Sequence, residues 1–200
     1  MANQERLLAA AVAAMLREGR QVPMASIARD AGVGVGTLYR NYPTREALLA
    51  ALTQRSFELV HTIVEDVLAS AGPAIAGVEE FLLRTIAHRD QLVLPLHGGP
   101  EAVSHEAQEL RAQISADIGR ILERGRCDRT IRADVTSDDV IFFGALLAQP
   151  LSDDESWMGM NLIRQARVFL SGLAPSAPEL DDAALNPSCG TKTDDFTPGG

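Results

Sequence analysis

Five polar side chains at positions 37 to 45 carry the chemistry that this sequence offers most clearly. They supply hydroxyl, amide and guanidinium groups: Thr37, Tyr39, Arg40, Asn41 and Arg45. A guanidinium can bind a phosphate or donate two hydrogen bonds to the edge of a guanine, and a threonine methyl can pack on a thymine methyl. The cluster therefore points to contact with a DNA duplex.

Four histidines offer a second kind of chemistry: His61, His88, His97 and His105. None of them pairs with another at the spacing of two metal ligands on one helix turn. No nucleophile elbow, phosphate loop or paired-carboxylate motif accompanies them. We therefore interpret them as surface or pocket histidines, and we expect no enzymatic activity, no metal and no cofactor.

Two short helices joined by a glycine turn should position the DNA-contacting side chains. Pro23 suits the first position of a helix, and the sequence predicts that helix from Met24 to Ala31, with Gly32 ending it in a left-handed conformation. A second helix is predicted from Val35 to Asn41, with Leu38 directed inward. Two helices joined in this way form a helix-turn-helix, whose second helix lies in the DNA major groove.

The run IARDAGVGVGTLYRNYPTREALL, Ile27 to Leu49, resembles the tetracycline-repressor (TetR) family of bacterial transcription regulators. The resemblance rests on the IA…AGV turn, on GTLY in the second helix and on the basic residue that opens the next helix. It implies an all-α fold with a three-helix helix-turn-helix head, residues 1–47, and a helical ligand-binding and dimerisation domain, residues 48–174. The remaining residues, 175–200, are predicted to form a disordered tail.

The resemblance also assigns roles to residues of the head. Phosphate contact falls to Thr37, Tyr39 and Arg45, and Arg45 opens a helix whose N–H groups also favour a phosphate. Base-edge contact falls to outward positions around the second helix. Together with Tyr42, where the family often has a phenylalanine, the predicted DNA-binding residues are Ala25, Val35, Gly36, Thr37, Tyr39, Arg40, Asn41, Tyr42 and Arg45. For Tyr39, a core ring with a solvated hydroxyl is the alternative.

The distribution of charge fits a DNA-binding head on an acidic body. The net charge is −9, but residues 1–60 carry seven arginines and five acidic residues, a balance of +2. No apolar run approaches the roughly 20 residues that span a bilayer. Cys127 and Cys189 form neither a metal motif nor a disulfide framework. These features predict a reduced, cytoplasmic protein with no membrane partner.

Hydrophobic periodicity predicts six helices besides the two short ones. Their expected ranges are 4–18, 45–70, 74–92, 101–126, 137–149 and 153–173. The segment VIFFGALLA in 137–149 is apolar nearly all round, which predicts burial on every side. Thr136 with Asp139, and Ser152 with Glu155, are predicted helix-start pairs. From Pro175 the composition becomes rich in proline and acidic residues, which is typical of disorder.

The resemblance implies a ligand cavity among the body helices. The candidate walls are mostly apolar with two histidines, a composition that a filled core would share: Phe57, His61, Phe81, Leu82, Ile86, Leu92, Leu96, His97, Ile114, Phe143 and Met158.

The last two helices are expected to pair with their copies in a homodimer. The resemblance implies a four-helix interface, and the surplus of apolar residues on both helices supports it. The predicted interface is Val140, Phe143, Leu147, Met158, Leu162, Ala166, Phe169 and Leu173.

These features together predict a transcriptional repressor. It should bind a palindromic operator in double-stranded DNA as a homodimer, and a small-molecule effector should release it. Two alternatives remain open at this point. One is a DNA-binding or partner-recruiting protein without a ligand, which a cavity-free body would favour. The other is an enzyme with a vestigial helix-turn-helix, which no motif supports.

Overall fold

The computed structural model of the chain describes residues 2–19, 21–93, 104–148, 155–178 and 180, with side chains for these residues other than 2, 3 and 155–160. Over these ranges the chain forms eight α-helices, one 3₁₀ turn and no strand, so the predicted all-α fold is confirmed. The helices are α1 Ala2–Glu18, α2 Met24–Asp30, α3 Val35–Asn41, α4 Arg45–Ala69, α5 Ala74–Ala87, α6 His105–Cys127, α7 Ser137–Leu147 and α8 Glu155–Gly172, and the 3₁₀ turn is Arg89–Gln91.

The head is a three-helix unit that shares its core with the start of α4. Leu7 on α1, Ile27 on α2 and Leu38 on α3 are fully buried in one cluster. Leu48 and Leu52 of α4 belong to the same cluster, so the core of the head extends beyond the predicted boundary at residue 47.

The body is built around α5, which packs against α4, α6, α7 and α8. Phe81 and Leu82 of α5 are buried at its centre. Gly144 lets α7 approach α5 closely, because a Cβ at that position would lie 3.1 Å from the Phe81 ring. Helices α4 and α6 lie side by side along their length.

The α5 helix ends earlier than predicted, at Ala87 instead of Leu92. The chain leaves the helix because two consecutive residues must enter different cores. Leu92 is buried in the body cluster, whereas Val93 is buried in the head cluster. The 3₁₀ turn Arg89–Gln91 makes this change of direction, and Leu92 is extended.

The α7 helix is not buried on every side, which corrects the expectation from its composition. Val140, Gly144 and Leu147 are buried, but Phe142 and Leu146 on the other side are 59% and 38% exposed. One chain therefore covers only one face of this helix.

The remaining expectations concern helix starts and the tail. Thr136 and Asp139 form a full capping box at the start of α7, whereas Ser152 lies outside the described residues. At the start of the tail, the backbone N–H of Leu180 donates to Asp134 Oδ2 at 3.0 Å. Residues 181–200, including Cys189, lie outside the described residues. Over the described residues, no helix has the length and apolar character of a membrane span.

Candidate nucleic-acid interface

The turn between α2 and α3 is formed by local backbone geometry. Gly32 adopts φ +65°, in the left-handed region that favours glycine. The N–H of Val33 donates to the carbonyl of Ala28 at 3.0 Å, which closes the end of α2. Because Leu38 anchors the inner side of α3 in the core, the opposite side of that helix faces solvent.

The solvent side of α3 presents a continuous set of predicted DNA-binding residues. Val35 and Tyr39 are 41% and 47% exposed, and Gly36, Arg40 and Asn41 are exposed as well. Thr37 is half-buried beside them, and Ala25 on α2 is exposed. The exposed side chains of Val35 and Tyr39 are therefore free to contact a partner molecule.

Two of the polar side chains on α3 are held against their own helix. The guanidinium of Arg40 donates to the Gly36 carbonyl at 3.2 Å and to Thr37 Oγ1 at 3.3 Å. The Asn41 amide donates to the Thr37 carbonyl at 2.8 Å. These bonds are exposed and can exchange for bonds to a base edge, since such surface hydrogen bonds contribute little net stability.

Tyr42 is not part of this exposed set, which corrects its assignment to DNA. The residue is 5% exposed and belongs to the core of the head. Its hydroxyl is buried and has no hydrogen-bond partner within the described residues. Tyr42 is the residue that ends α3. Its ring turns into the core of the head because the chain folds back there to begin α4.

Arg45 has a structural contact that the sequence did not indicate. Its guanidinium donates to the carbonyl of Val22 and is partly buried, so it ties the α1–α2 connection to the start of α4. At the same helix start, Thr44 Oγ1 accepts from the Ala47 N–H at 3.1 Å. Glu46 accepts backbone and Thr44 hydrogen bonds, which hold the pKa of its carboxyl below the usual range.

An ion pair that sequence reasoning missed links α1 to α2. Arg17 Nη2 lies 2.8 Å from Asp30 Oδ2, and this hydrogen bond lowers the pKa of the Asp30 carboxyl. The two residues are 13 positions apart, so no helix-spacing rule connects them in the sequence.

The predicted ligand-binding residues mostly form packed core. Six of them are buried in the body cluster: Phe57, Phe81, Leu82, Ile86, Leu92 and Ile114. Phe143 packs against that cluster. Leu96, His97 and the side chain of Met158 lie outside the described residues. His61 differs from the others because it lines an open cleft of about 640 Å³ between α4 and α6, which we call the α4–α6 cleft.

The predicted dimer residues face the body of their own chain. Val140, Leu147, Leu162, Ala166 and Leu173 are buried. Phe143 and Phe169 stack on each other with ring centroids 4.1 Å apart, and the side chain of Met158 lies outside the described residues. The five buried residues complete the core of a single chain, which corrects their assignment to the interface, whereas Phe143 and Phe169 are half-buried and stay candidates.

Other apolar residues of the same two helices remain exposed. On α7 they are Phe142 and Leu146, and on α8 they are Ile163 and Val168, which are 40% and 57% exposed. We call these four residues the outer α7–α8 face.

Comparison with known proteins identifies the head and finds similar structures for most of the chain. The family model described as "Bacterial regulatory proteins, tetR family" matches residues 7–52, which are α1 to the first turns of α4. A TetR transcriptional regulator from Streptomyces coelicolor is 28% identical, with a TM-score of 0.60 over 87% of this chain and 99% of that one. Residues 7–52 form a DNA-binding domain of the TetR family. Its helix-turn-helix lies at residues 24–41, and the chain is a DNA-binding transcriptional regulator similar to TetR regulators over most of its length.

Two further structures extend the TetR comparison. A TetR regulatory protein from Mycobacterium vanbaalenii is 28% identical, with a TM-score of 0.57 over 86% of this chain and 95% of that one. The regulator FadR from Bacillus subtilis, solved in complex with stearoyl-CoA, is 17% identical, with a TM-score of 0.63 over 88% of this chain and 100% of that one. Among curated proteins, none matches the chain.

Proposed function

We propose that this protein is a repressor that binds a palindromic operator as a homodimer and leaves it when a small molecule binds the body. The observation that carries the proposal is the exposed outer side of α3. The packed core of the helix-turn-helix fixes this side toward solvent. FadR, which was solved with stearoyl-CoA, supports a ligand-responsive body. We assign no enzymatic role to the chain.

Arg40 is the residue that we propose for base recognition. Its guanidinium already lies on the outer side of α3 and needs only a side-chain rotation to reach a base edge. Tyr39 and Thr37 contribute phosphate contacts from the same side. Arg45 contributes mainly by positioning, because its guanidinium is engaged with the Val22 carbonyl.

The replacement Arg40→Ala tests this assignment. It should cost about 1–3 kcal/mol of specific binding and relax the base preference at one position in each half-site. Arg29→Ala is the matched control, because it removes the same charge from an exposed position on α2. We expect the control to weaken binding to all sequences alike. Selection of binding sites from random duplexes measures the base preference of both variants. An unchanged base preference in Arg40→Ala would show that Arg40 does not contact a base.

The outer α7–α8 face is the surface that we propose for the dimer. Its four exposed apolar residues lie on two adjacent helices, and a second copy would remove them from water. A two-fold pair would place two α3 helices about 34–36 Å apart, which matches successive major grooves.

The replacement Phe142→Glu tests this interface. An unpaired charge in the interface should convert the dimer to a monomer and reduce operator affinity toward the non-specific level. Leu83→Glu is the control, because it places the same charge on an exposed apolar position of α5. Light scattering measures the mass of both variants in solution. A dimeric Phe142→Glu protein would place the interface elsewhere.

Among the described residues, two elements connect the body to the head. One is α4 itself, and the other is the residue pair that follows the 3₁₀ turn. Val93 lies in the head core, and its N–H donates to the buried Oγ of Ser56 at 2.8 Å. Leu92 lies in the body core beside it. We propose that a change in the packing of α5 or α6 reaches the head by this route.

A further inference from the structure

The α4–α6 cleft has a definite chemical character. Its inner wall contains the Asp117 carboxylate, 9% exposed, and the His61 imidazole, 19% exposed. Glu65 and Arg120 lie at the rim and are 60% and 66% exposed. The other residues that line the cleft are Leu68, Ala69, Gln113 and Ala116. Its volume of about 640 Å³ lies in the range of small-molecule sites.

Asp117 is the unusual group in this cleft. A carboxylate is rarely buried unless donors surround it, because burial removes its hydration. Asp117 Oδ1 lies 2.9 Å from Arg120 Nη2, yet Oδ1 is buried without a properly aligned hydrogen bond from any described residue. Its Oδ2 lies 3.9 Å from His61 Nε2, which is beyond hydrogen-bond distance. Oδ1 is therefore enclosed by the protein and lies against Arg120, whereas Oδ2 is the oxygen with no donor within hydrogen-bond distance among the described residues.

The charges around Asp117 favour a cation as the donor. Two carboxylates, Asp117 and Glu65, face one guanidinium, Arg120, and the imidazole of His61. The guanidinium lies at the solvent side, so the innermost fixed charge is negative. Leu68 and Ala69 add apolar surface beside it. An organic cation with a hydrocarbon part matches this combination of an apolar wall and a carboxylate oxygen, Asp117 Oδ2, that has no donor among the described residues.

We propose that the α4–α6 cleft binds a small organic ammonium or amidinium ion, whose N–H groups donate to Asp117 and whose hydrocarbon part packs on Leu68. This inference rests on the proposed function, since it names the class of effector. The site is also connected to the DNA-binding head through α4. Its α4 residues, His61 to Ala69, belong to the helix that carries the head and lie about 20–30 Å along it from Leu48, at a rise of 1.5 Å per residue. A ligand between α4 and α6 would shift α4 and change the placement of α3.

Benzylammonium is a suitable probe, with benzyl alcohol and benzoate as neutral and anionic molecules of matched shape. Operator affinity without any probe is measured first, so that failure of DNA binding and failure of cation binding are told apart. Calorimetry should then show benzylammonium binding at least roughly tenfold tighter than either matched molecule, as expected for a charge-assisted hydrogen bond. Benzylammonium should also weaken operator binding.

Asp117→Asn is the decisive variant, because it keeps the size of the side chain and removes its charge. It should weaken benzylammonium binding by roughly tenfold or more, and it should abolish the effect of the probe on operator binding. Asp138→Asn removes the same charge from an exposed position on α7 and should change neither result. If Asp117→Asn fails to fold, Ala116→Phe fills the cleft without changing its charge and should also block the probe. Equal binding of the three probes, or unchanged binding in the folded variants, would overturn the proposal.

Discussion

Tyr42 and Tyr39 are three residues apart, and the structure predicts opposite consequences when each loses its hydroxyl. The Tyr42 hydroxyl is buried, and no described residue forms a hydrogen bond with it. An unsatisfied buried polar group costs about 1–3 kcal/mol, so Tyr42→Phe should leave stability unchanged or raise it by up to that amount. In a chain of this size, each 1 kcal/mol shifts the melting midpoint by about 2–4 °C. Operator affinity should not change.

Tyr39→Phe is the matched comparison. Tyr39 is 47% exposed on the outer side of α3, so removal of its hydroxyl should not change the melting midpoint. Loss of one phosphate hydrogen bond should weaken DNA binding by about 0.5–1.5 kcal/mol, which is roughly 2- to 12-fold. Calorimetric melting and fluorescence anisotropy on a labelled duplex measure both quantities. If Tyr42→Phe lost DNA affinity while Tyr39→Phe did not, the orientation that we describe for α3 would be wrong.

Two further predictions concern the body. Gly125→Ala should destabilise the fold by about 1–3 kcal/mol, because its Cβ would lie 2.5 Å from Ile131 Cδ1. Gly119→Ala should raise stability by about 0.5–1 kcal/mol, because no described atom outside its own helix segment would lie within 4 Å of the new Cβ. Equal urea midpoints for the two variants would contradict this packing. Hydrogen bonds from Arg132 and from the Leu180 N–H hold the pKa of Asp134 well below its usual range. The pKa of Asp134 is lower in the folded chain than in the unfolded chain, where it is about 3.9. The ionised carboxylate therefore stabilises the fold above that pH, and this contribution is lost as the pH falls. The stability difference between wild type and Asp134→Asn should therefore shrink from pH 6 to pH 3 in urea unfolding.

The helix-turn-helix could be predicted from the sequence because its signals are local. Gly32 marks the left-handed turn, and Leu38 marks the inner side of a short helix whose ends the structure reproduces. Tyr42 was harder to predict, because an aromatic residue beside polar ones is compatible with both DNA contact and burial. The path of the chain from α3 into α4 determines whether Tyr42 contacts DNA or is buried.

The outer and inner faces of α7 and α8 could not be separated by periodicity. Apolar residues lie on both sides of these helices, so the pattern predicts burial without indicating whether the chain itself or a second copy covers each side. Phe169 stacks on Phe143 within one chain, while Phe142 remains exposed. The early end of α5 has a similar origin, since it depends on the placement of Leu92 and Val93 in two different cores.

The α4–α6 cleft had only one signal in the sequence, which was His61. Asp117 lies in a helix rich in charged residues, where nothing distinguishes a buried aspartate from an exposed one. Its burial arises because α6 packs along α4, a contact between segments that are about 50 residues apart in the chain.

Selection of binding sites from a random duplex library tests whether α3 reads DNA as one of a two-fold pair. We expect the full chain to enrich an inverted repeat whose half-sites lie about one helical turn apart, about 34–36 Å. We also expect Arg40→Ala to lose preference at the same position in both half-sites. Binding that depends on salt but enriches no sequence, or enrichment of a single unrepeated site by the wild-type chain, would contradict this expectation.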